Sequence, residues 1–227
     1  MTRDPKMIQI DTSAKGEIDT LAVKSIVMEA FDDSTKRLIA TDSVAIVRGP
    51  MAARGGLVHY FRAQEYMELH QNPIVWYDDN QITGDTVTLR LSRNRLQRAY
   101  VRGRAFALSL SDSLFPHRYN QLTGRRLRLS FAENKLREVL VEQNAISAYF
   151  LYDDADPNGL NRTSGDTISM YFIDGKPDVI RVVRGVEGAY YPEKMILRNE
   201  HQYDLDGFLI RTNRPKLENI FSRKKNL

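Results

Sequence analysis

The chain has 227 residues, with 33 basic against 29 acidic side chains, a formal charge of +4, and no cysteine. That length suits one large domain or two small ones, and a modest charge excess without an aromatic-and-basic repeat argues against a nucleic-acid binder. Disulfides, thiolate metal sites and a cysteine nucleophile are excluded, and no apolar run approaches the roughly 18 residues that a membrane-spanning helix needs.

The first residues, Met1 to Lys6, lack the apolar core of a secretory signal, which fits a cytosolic protein or one whose signal has been removed. Residues 1–17 are expected to be an added strand or disordered. From Ile18 onward the pattern is that of β-strands. Ser34 to Gly49 reads as a turn and a returning strand, and Leu57–Phe61 and Ile74–Tyr77 read as the two strands of another unit.

The segment N-[QR]-x-[TS]-G-[DR] then occurs three times, as Asn80–Asp85, Asn120–Arg125 and Asn161–Asp166, at intervals of about forty residues. After each copy come alternating apolar residues: Val87, Leu89 and Leu91; Leu127, Leu129 and Phe131; Ile168, Met170 and Phe172. A turn at Asn94, Asn134 or Gly175 leads to a second apolar strand through Val101, Val141 or Val182. Side chains alternate faces with a period of two, so Thr86, Thr88, Arg90, Arg126 and Arg128 face water while the apolar set faces inward. Asn80, Asn120 and Asn161, with Gly84, Gly124 and Gly165, are expected to be corner residues, since Gly and Asn tolerate positive φ. Each unit reads as a β-hairpin, and the stacked hairpins give an elongated all-β body that ends at Pro192. Residues 193–227 are less regular and are expected to form a cap, a last hairpin or a frayed tail.

Along the second strands the inner face continues through small residues: Gly103, Ala105 and Ala107, then Gln143, Ala145 and Ser147, and later Val186 and Gly188. Either the larger residues of the facing strands fill this lane to native density, or it is a long apolar trough. Arginines crowd the central repeats, forming a solvated mixed-charge face or an anion site. The loop Asp154–Gly159 has the start of a calcium loop but Gly165 where the bidentate glutamate belongs, so an acidic hairpin loop is the better reading. His59, His70, His117 and His201 show no metal-ligand spacing, so no metal and no cofactor are expected. No nucleophile elbow or phosphate loop marks an enzyme.

The motif N-Q-[IL]-T-G, the run Ile74–Asp85 and the closing Glu187–Pro192 resemble the OstA/LptA family over about Ile18 to Pro192. The resemblance implies an open, twisted β-jelly-roll (a β-taco) of stacked V-shaped strand pairs spanning 18–192. It also implies a periplasmic, non-enzymatic role in lipopolysaccharide transport as part of a bridge to the outer membrane. Lipopolysaccharide or a related glycolipid, other jelly-roll export components joined by edge-strand pairing, and a head-to-tail homo-oligomer are the partners so implied. Under this reading the lipid-binding interior consists of Val87, Leu89, Leu91, Val101, Ala105, Leu127, Leu129, Phe131, Val141, Ala145, Ile168, Met170, Phe172 and Val182. These positions are assigned by alternation. Arg102, Arg104 and Arg125 are candidate contacts for lipid phosphates. The alternative is a structural or adaptor solenoid that binds proteins through its edges and charged face.

Overall fold

The computed structural model describes residues 5–12, 18–93, 95–133, 135–154, 156–173 and 176–221. The expected turn residues Asn94, Asn134 and Gly175 lie outside this set. A 15-stranded antiparallel sheet is folded along its length into two arms, and the chain climbs it as a series of bent rungs. β1 (Lys6–Thr12) pairs with β2 (Ile18–Lys24) at one end, and β2 leads into β3 (Val27–Ala30). β4 (Arg37–Arg48) and β5 (Met51–Phe61) are long bent strands. β6 (Tyr66–His70) with β7 (Ile74–Tyr77), and β8 (Asn80–Thr83) with β9 (Thr86–Ser92), make rungs from two short pieces. β10 (Arg95–Leu110), β11 (Tyr119–Ala132), β12 (Lys135–Asp153) and β13 (Asp156–Ile173) are long again, and β14 (Lys176–Val183) with β15 (Glu187–Pro192) closes the series. The first arm holds β2, β7, β8 and β15 with the adjoining halves of the long strands. The second arm holds β3, β6, β9, β14 and the other halves.

The bend has a repeating cause. Alternate rungs turn through two residues with positive φ: Asp42 and Ser43, Gln71 and Asn72, Gly103 and Arg104, Gln143 and Asn144, Arg184 and Gly185. The ladder register slips at these places, for example between Arg102 and Ala105 and between Glu142 and Ala145, as at β-bulges. The rungs between them bend at the glycines of the repeated motif. None of Gly84, Gly124 and Gly165 has a positive φ, so the expected corner conformation is not why they are glycine. A Cβ on these residues would stand 2.2, 2.6 and 2.7 Å from Cγ1 of Val101, Val141 and Val182 respectively. Glycine is required because the next strand's valine lies against its Cα. The motif asparagines likewise do not have left-handed backbones: Asn80 donates to the Tyr77 carbonyl, and Asn120 Oδ1 accepts from the Phe150 amide.

Between the arms lies one continuous apolar core. Val58, Met67, Leu69, Val87, Leu89, Leu127 and Ile168 of the second arm pack against Leu21, Ile46, Ala53, Val75, Ile82 and Ala105 of the first. Leu57–Phe61 does not pair with Ile74–Tyr77 as expected. It pairs with β6, while Ile74–Tyr77 pairs with the start of the same strand, Met51–Arg54. The Gly55–Gly56 bend divides β5 between the two arms and escapes a reading based on straight strands.

Beyond Pro192 the chain forms a short helix α1 (Glu193–Ile196), a 3-10 turn at Glu200–Tyr203, an extended stretch and a final helix α2 (Leu217–Phe221). This segment crosses the outer face of the first arm and returns to the first rungs. Ile196, Leu205 and Phe208 pack on Phe106, Leu108, Phe150 and Leu160, and Ile220 packs on Ala22, Val47, Ala52 and Trp76. Along β2, β7, β8 and the adjoining halves of β4, β5 and β10–β12 the first arm is therefore covered on both faces, and Ile74, Val75, Trp76 and Tyr77 are all buried.

Placing a methyl group at Gly124 should force Val141 aside and destabilise the fold by about 1–3 kcal/mol. The double variant Gly124→Ala/Val141→Ala should recover part of that loss. Urea denaturation of the single and double variants checks this; strictly additive losses would mean that glycine and valine do not share one space.

Candidate functional site

The arms do not close completely. Toward their tips they leave a cavity of about 410 Å³, lined on the first arm by Ile82, Ala107, Leu122 and Tyr149 and on the second by Leu129, Phe131, Leu136, Val139, Met170 and Phe172. The volume falls within the range of about 300–1,000 Å³ usual for small-ligand sites. Tyr77 packs against Phe131 at one end of the cavity, with ring centroids 4.8 Å apart and ring planes tilted by 50°. Burial pushes the Tyr149 phenol up to about 12, so it is neutral at physiological pH. Asp78 and Asp79 stand on one lip and Lys135 on the other. Burial and then the adjacent Asp79 raise the Asp78 carboxyl, opposed by Arg214.

All fourteen interior candidates face the space between the arms. Twelve are buried; Phe172 and Val182, near the last rung, are half-buried against the same core. Only Leu129, Phe131, Met170 and Phe172 of this set line the cavity. Ala105 and Ala145 sit deeper, beside the fold line, where the larger side chains of the second arm fill the space. The small-residue lane is therefore filled near the bend and open toward the tips, where Ala107 borders the cavity. Gly103 and Gln143, read as part of that lane, belong to the left-handed bends themselves. Ile82, Leu122 and Ala107 do not figure among the fourteen. The apolar third position of the first two motif copies, two residues before each glycine, is the signal that marks Ile82 and Leu122.

Arg102, Arg104 and Arg125 are exposed and line a different depression, beside the fold line on the outer surface, with Arg126, Arg128, Asp85 and Glu142. Arg104 Nε donates to Asp85 Oδ1 at 2.7 Å. This depression shares no lining residue with the cavity, so the fold does not bring these arginines to the mouth of the apolar space.

Two further arrangements are not legible as sites in the sequence. The glutamine of the repeated motif holds the C-terminal segment. Gln81 Nε2 donates to the Leu209 carbonyl at 2.8 Å while its Oε1 accepts from the Arg211 amide at 2.7 Å. Gln121 repeats this, donating to Asp204 and accepting from the Leu205 amide. Arg118, 2% exposed, anchors the segment's start through Glu193 and Glu200. Burial acts to raise the Glu200 carboxyl, but backbone hydrogen bonding and then Arg118 outweigh it, and the carboxyl ends below its ordinary 4.5. The second arrangement is on the outer face of the second arm, where the ligand atoms of His59, Glu68 and His70 lie within 4.8 Å of one another. Their spacing in the sequence shows no metal signature because two of them become neighbours only through the β5–β6 pairing. Burial, and next the neighbouring His70, keep the His59 imidazole below its ordinary value.

Bent antiparallel rungs stacked around an apolar interior, with strand edges that no other described strand pairs at the first and last rung, define an open, twisted β-jelly-roll. Residues 8–95 match the family described as LptA/(LptD N-terminal domain) LPS transport protein, and that stretch is OstA/LptA-like. The match ends at the start of β10, so the second and third motif copies lie beyond it. The crystal structure of LptH, the LptA-homologous periplasmic component of the conserved lipopolysaccharide transport device from Pseudomonas aeruginosa, is similar in fold. It aligns with a TM-score of 0.50 at 14% identity, over 63% of this chain and 96% of that one. No curated protein matches the chain in sequence.

Two outcomes test the C-terminal attachment. Gln81→Ala leaves the Leu209 carbonyl and Arg211 amide without partners, which should cost about 1–3 kcal/mol. Because Trp76 is the only tryptophan and its Nε1 donates to the Arg211 carbonyl at 3.3 Å, the variant's emission should shift to the red. Acid should also loosen the attachment: a carboxylate held below its ordinary value stabilises the fold above 4.5, and that contribution fades as pH falls through its lowered value. Below pH 4.5 the parent should therefore lose more melting temperature than Glu200→Gln does, and equal losses in the two proteins would contradict the assignment.

Proposed function

We propose that the protein is a non-enzymatic component of periplasmic lipopolysaccharide transport that shields acyl chains between its two arms while the glycan stays in water. The observation that carries this reading is the apolar cavity between the arm tips. The match to a family of LPS transport proteins supports the cargo, and the likeness to LptH, a periplasmic component of a lipopolysaccharide transport device, supports the compartment. Each buried methylene contributes about 0.8 kcal/mol, so acyl chains can be held without charged contacts or reacting groups. In this reading, residues 18–192 form the lipid-handling body and the segment from Glu193 backs one of its walls. A multi-chain lipid enters by parting the arm tips, since the core beside the fold line is already filled.

The same reading gives the strand edges a role. β1 lies at one end of the sheet with Ile8 and Ile10 exposed, and β14 at the other with Val179 and Ile180 exposed. Exposed apolar edges are an aggregation hazard unless a partner strand covers them, and β-augmentation by another jelly-roll component or a second copy would do so. The dense packing near the fold line favours the alternative, an adaptor whose interior is only a core.

Ala107→Trp separates the two. In a carrier the bulky side chain enters the cavity, so binding of purified lipopolysaccharide should fall at least tenfold while the melting temperature stays near that of the parent. In an adaptor the parent binds no lipopolysaccharide, so the substitution has no lipid affinity to remove. Arg126→Gln, on the outer face, should change neither property.

A further inference from the structure

We propose that His59, Glu68 and His70 form a binding site for one zinc-like divalent metal ion on the outer face of the second arm. The backbone pairing sets the geometry. His59 on β5 stands directly opposite Glu68 on β6, and His70 follows Glu68 by two residues on the same face. Inward-facing Val58, Tyr60, Met67 and Leu69 are buried in the core, which fixes the outward orientation of all three ligands. Two imidazoles and one carboxylate match the three-protein-ligand zinc sites that leave a fourth position to water. Donors bound at about 2.0–2.2 Å in a tetrahedral site stand roughly 3.4 Å apart. Ligand atoms already within 4.8 Å of one another reach that spacing by small side-chain rotations.

The surroundings fit a metal better than an ordinary polar pairing. Glu68 Oε2 is 3.8 Å from His70 Nε2, beyond a hydrogen bond, and the two imidazole rings lie 5.9 Å apart. Among the described residues no hydrogen bond occupies either imidazole. The other carboxylate oxygen of Glu68, in contrast, accepts from the Tyr66 hydroxyl at 2.5 Å, and Arg90 stands over the Tyr66 ring at 4.9 Å. Tyr66 thus orients Glu68 from behind, as groups next to metal ligands commonly do, and leaves Oε2 turned toward the histidines. His70 and Glu68 are each about a third exposed, so an ion has access from solvent. Bound there, it would tie β5 to β6, the first of the short strands that replace long ones in this part of the stack, and stabilise the fold by mass action.

Zinc titration of the untagged protein by calorimetry, with thermal melting in parallel, tests the site. The parent should bind one zinc ion per chain and melt at a higher temperature when loaded. Glu68→Gln and the double variant His59→Gln/His70→Gln should weaken binding at least tenfold, Tyr66→Phe should weaken it less, and His201→Gln should leave it unchanged. On the parent itself, substoichiometric paramagnetic cobalt should broaden the ring resonances of His59 and His70 before those of His117 and His201, a readout independent of how any variant folds. No saturable zinc binding, equal broadening of all four histidines, or undiminished binding in the folded double variant would each overturn the proposal.

Discussion

The architecture depends on a close approach of backbones along a single line. Where one rung turns through two left-handed residues, its neighbour presents a glycine, and the valine of the following strand lies over that glycine's Cα. A side chain at Gly84, Gly124 or Gly165 would push successive rungs apart at the fold line. Without that contact the sheet has no reason to double over there, and the alternating apolar residues of the two arms would have nothing to face. Sheet curvature, core formation and the space between the arms therefore share one steric origin. The left-handed residues themselves are varied, including Asp42, Gln143 and Arg184, and the conformation is stabilised by the ladders on both sides.

The cavity follows from the same geometry. Near the fold line the arms are close, and residues such as Val101, Leu127 and Val141 meet Ala105 and Ala145 without a gap. Away from it the arms diverge while the first arm still offers alanine, serine and medium-sized residues, so the space opens. The second covering layer matters here. An arm lined by small residues has little apolar area on its inner face, and the C-terminal segment supplies it with a second buried face through Phe106, Phe150, Leu160 and Trp76. The wall of the cavity is held in shape from behind rather than from within.

Much of this is legible in the sequence, for a definite reason: period-two alternation maps directly onto burial, so Val87, Leu89, Leu127, Ile168 and their equivalents can be placed inward without knowing the topology. The outward arginines follow from the same rule, and the strand end at Pro192 follows from proline's missing ladder donor. What alternation cannot show is a strand that changes arms midway, and so it pairs β5 and β7 through the wrong half. It also cannot show partners brought by distant segments. Gln81 and Gln121 look like corner polar residues because their partners lie more than eighty residues downstream. His59 and Glu68 are nine positions apart, and only the strand pairing makes them neighbours. The glycines stand out as special in the sequence, but proximity to valine rather than backbone conformation is what makes them so.

A stack of repeated hairpins ordinarily behaves as a one-dimensional chain in which each unit feels only its neighbours, and the ends can melt while the middle persists. The segment after Pro192 alters that arithmetic. It leaves the last rung, binds β11 through Gln121, β8 through Gln81 and the turns at Pro50 and Asp78 through Arg214, and reaches β2 through Ile220. Units that would otherwise be thermodynamically remote thereby share one tether, and fraying at one end weakens contacts at the other. The tether turns a linear array into a cooperative unit of fixed length, since adding or removing a hairpin would put its successive attachment points out of step.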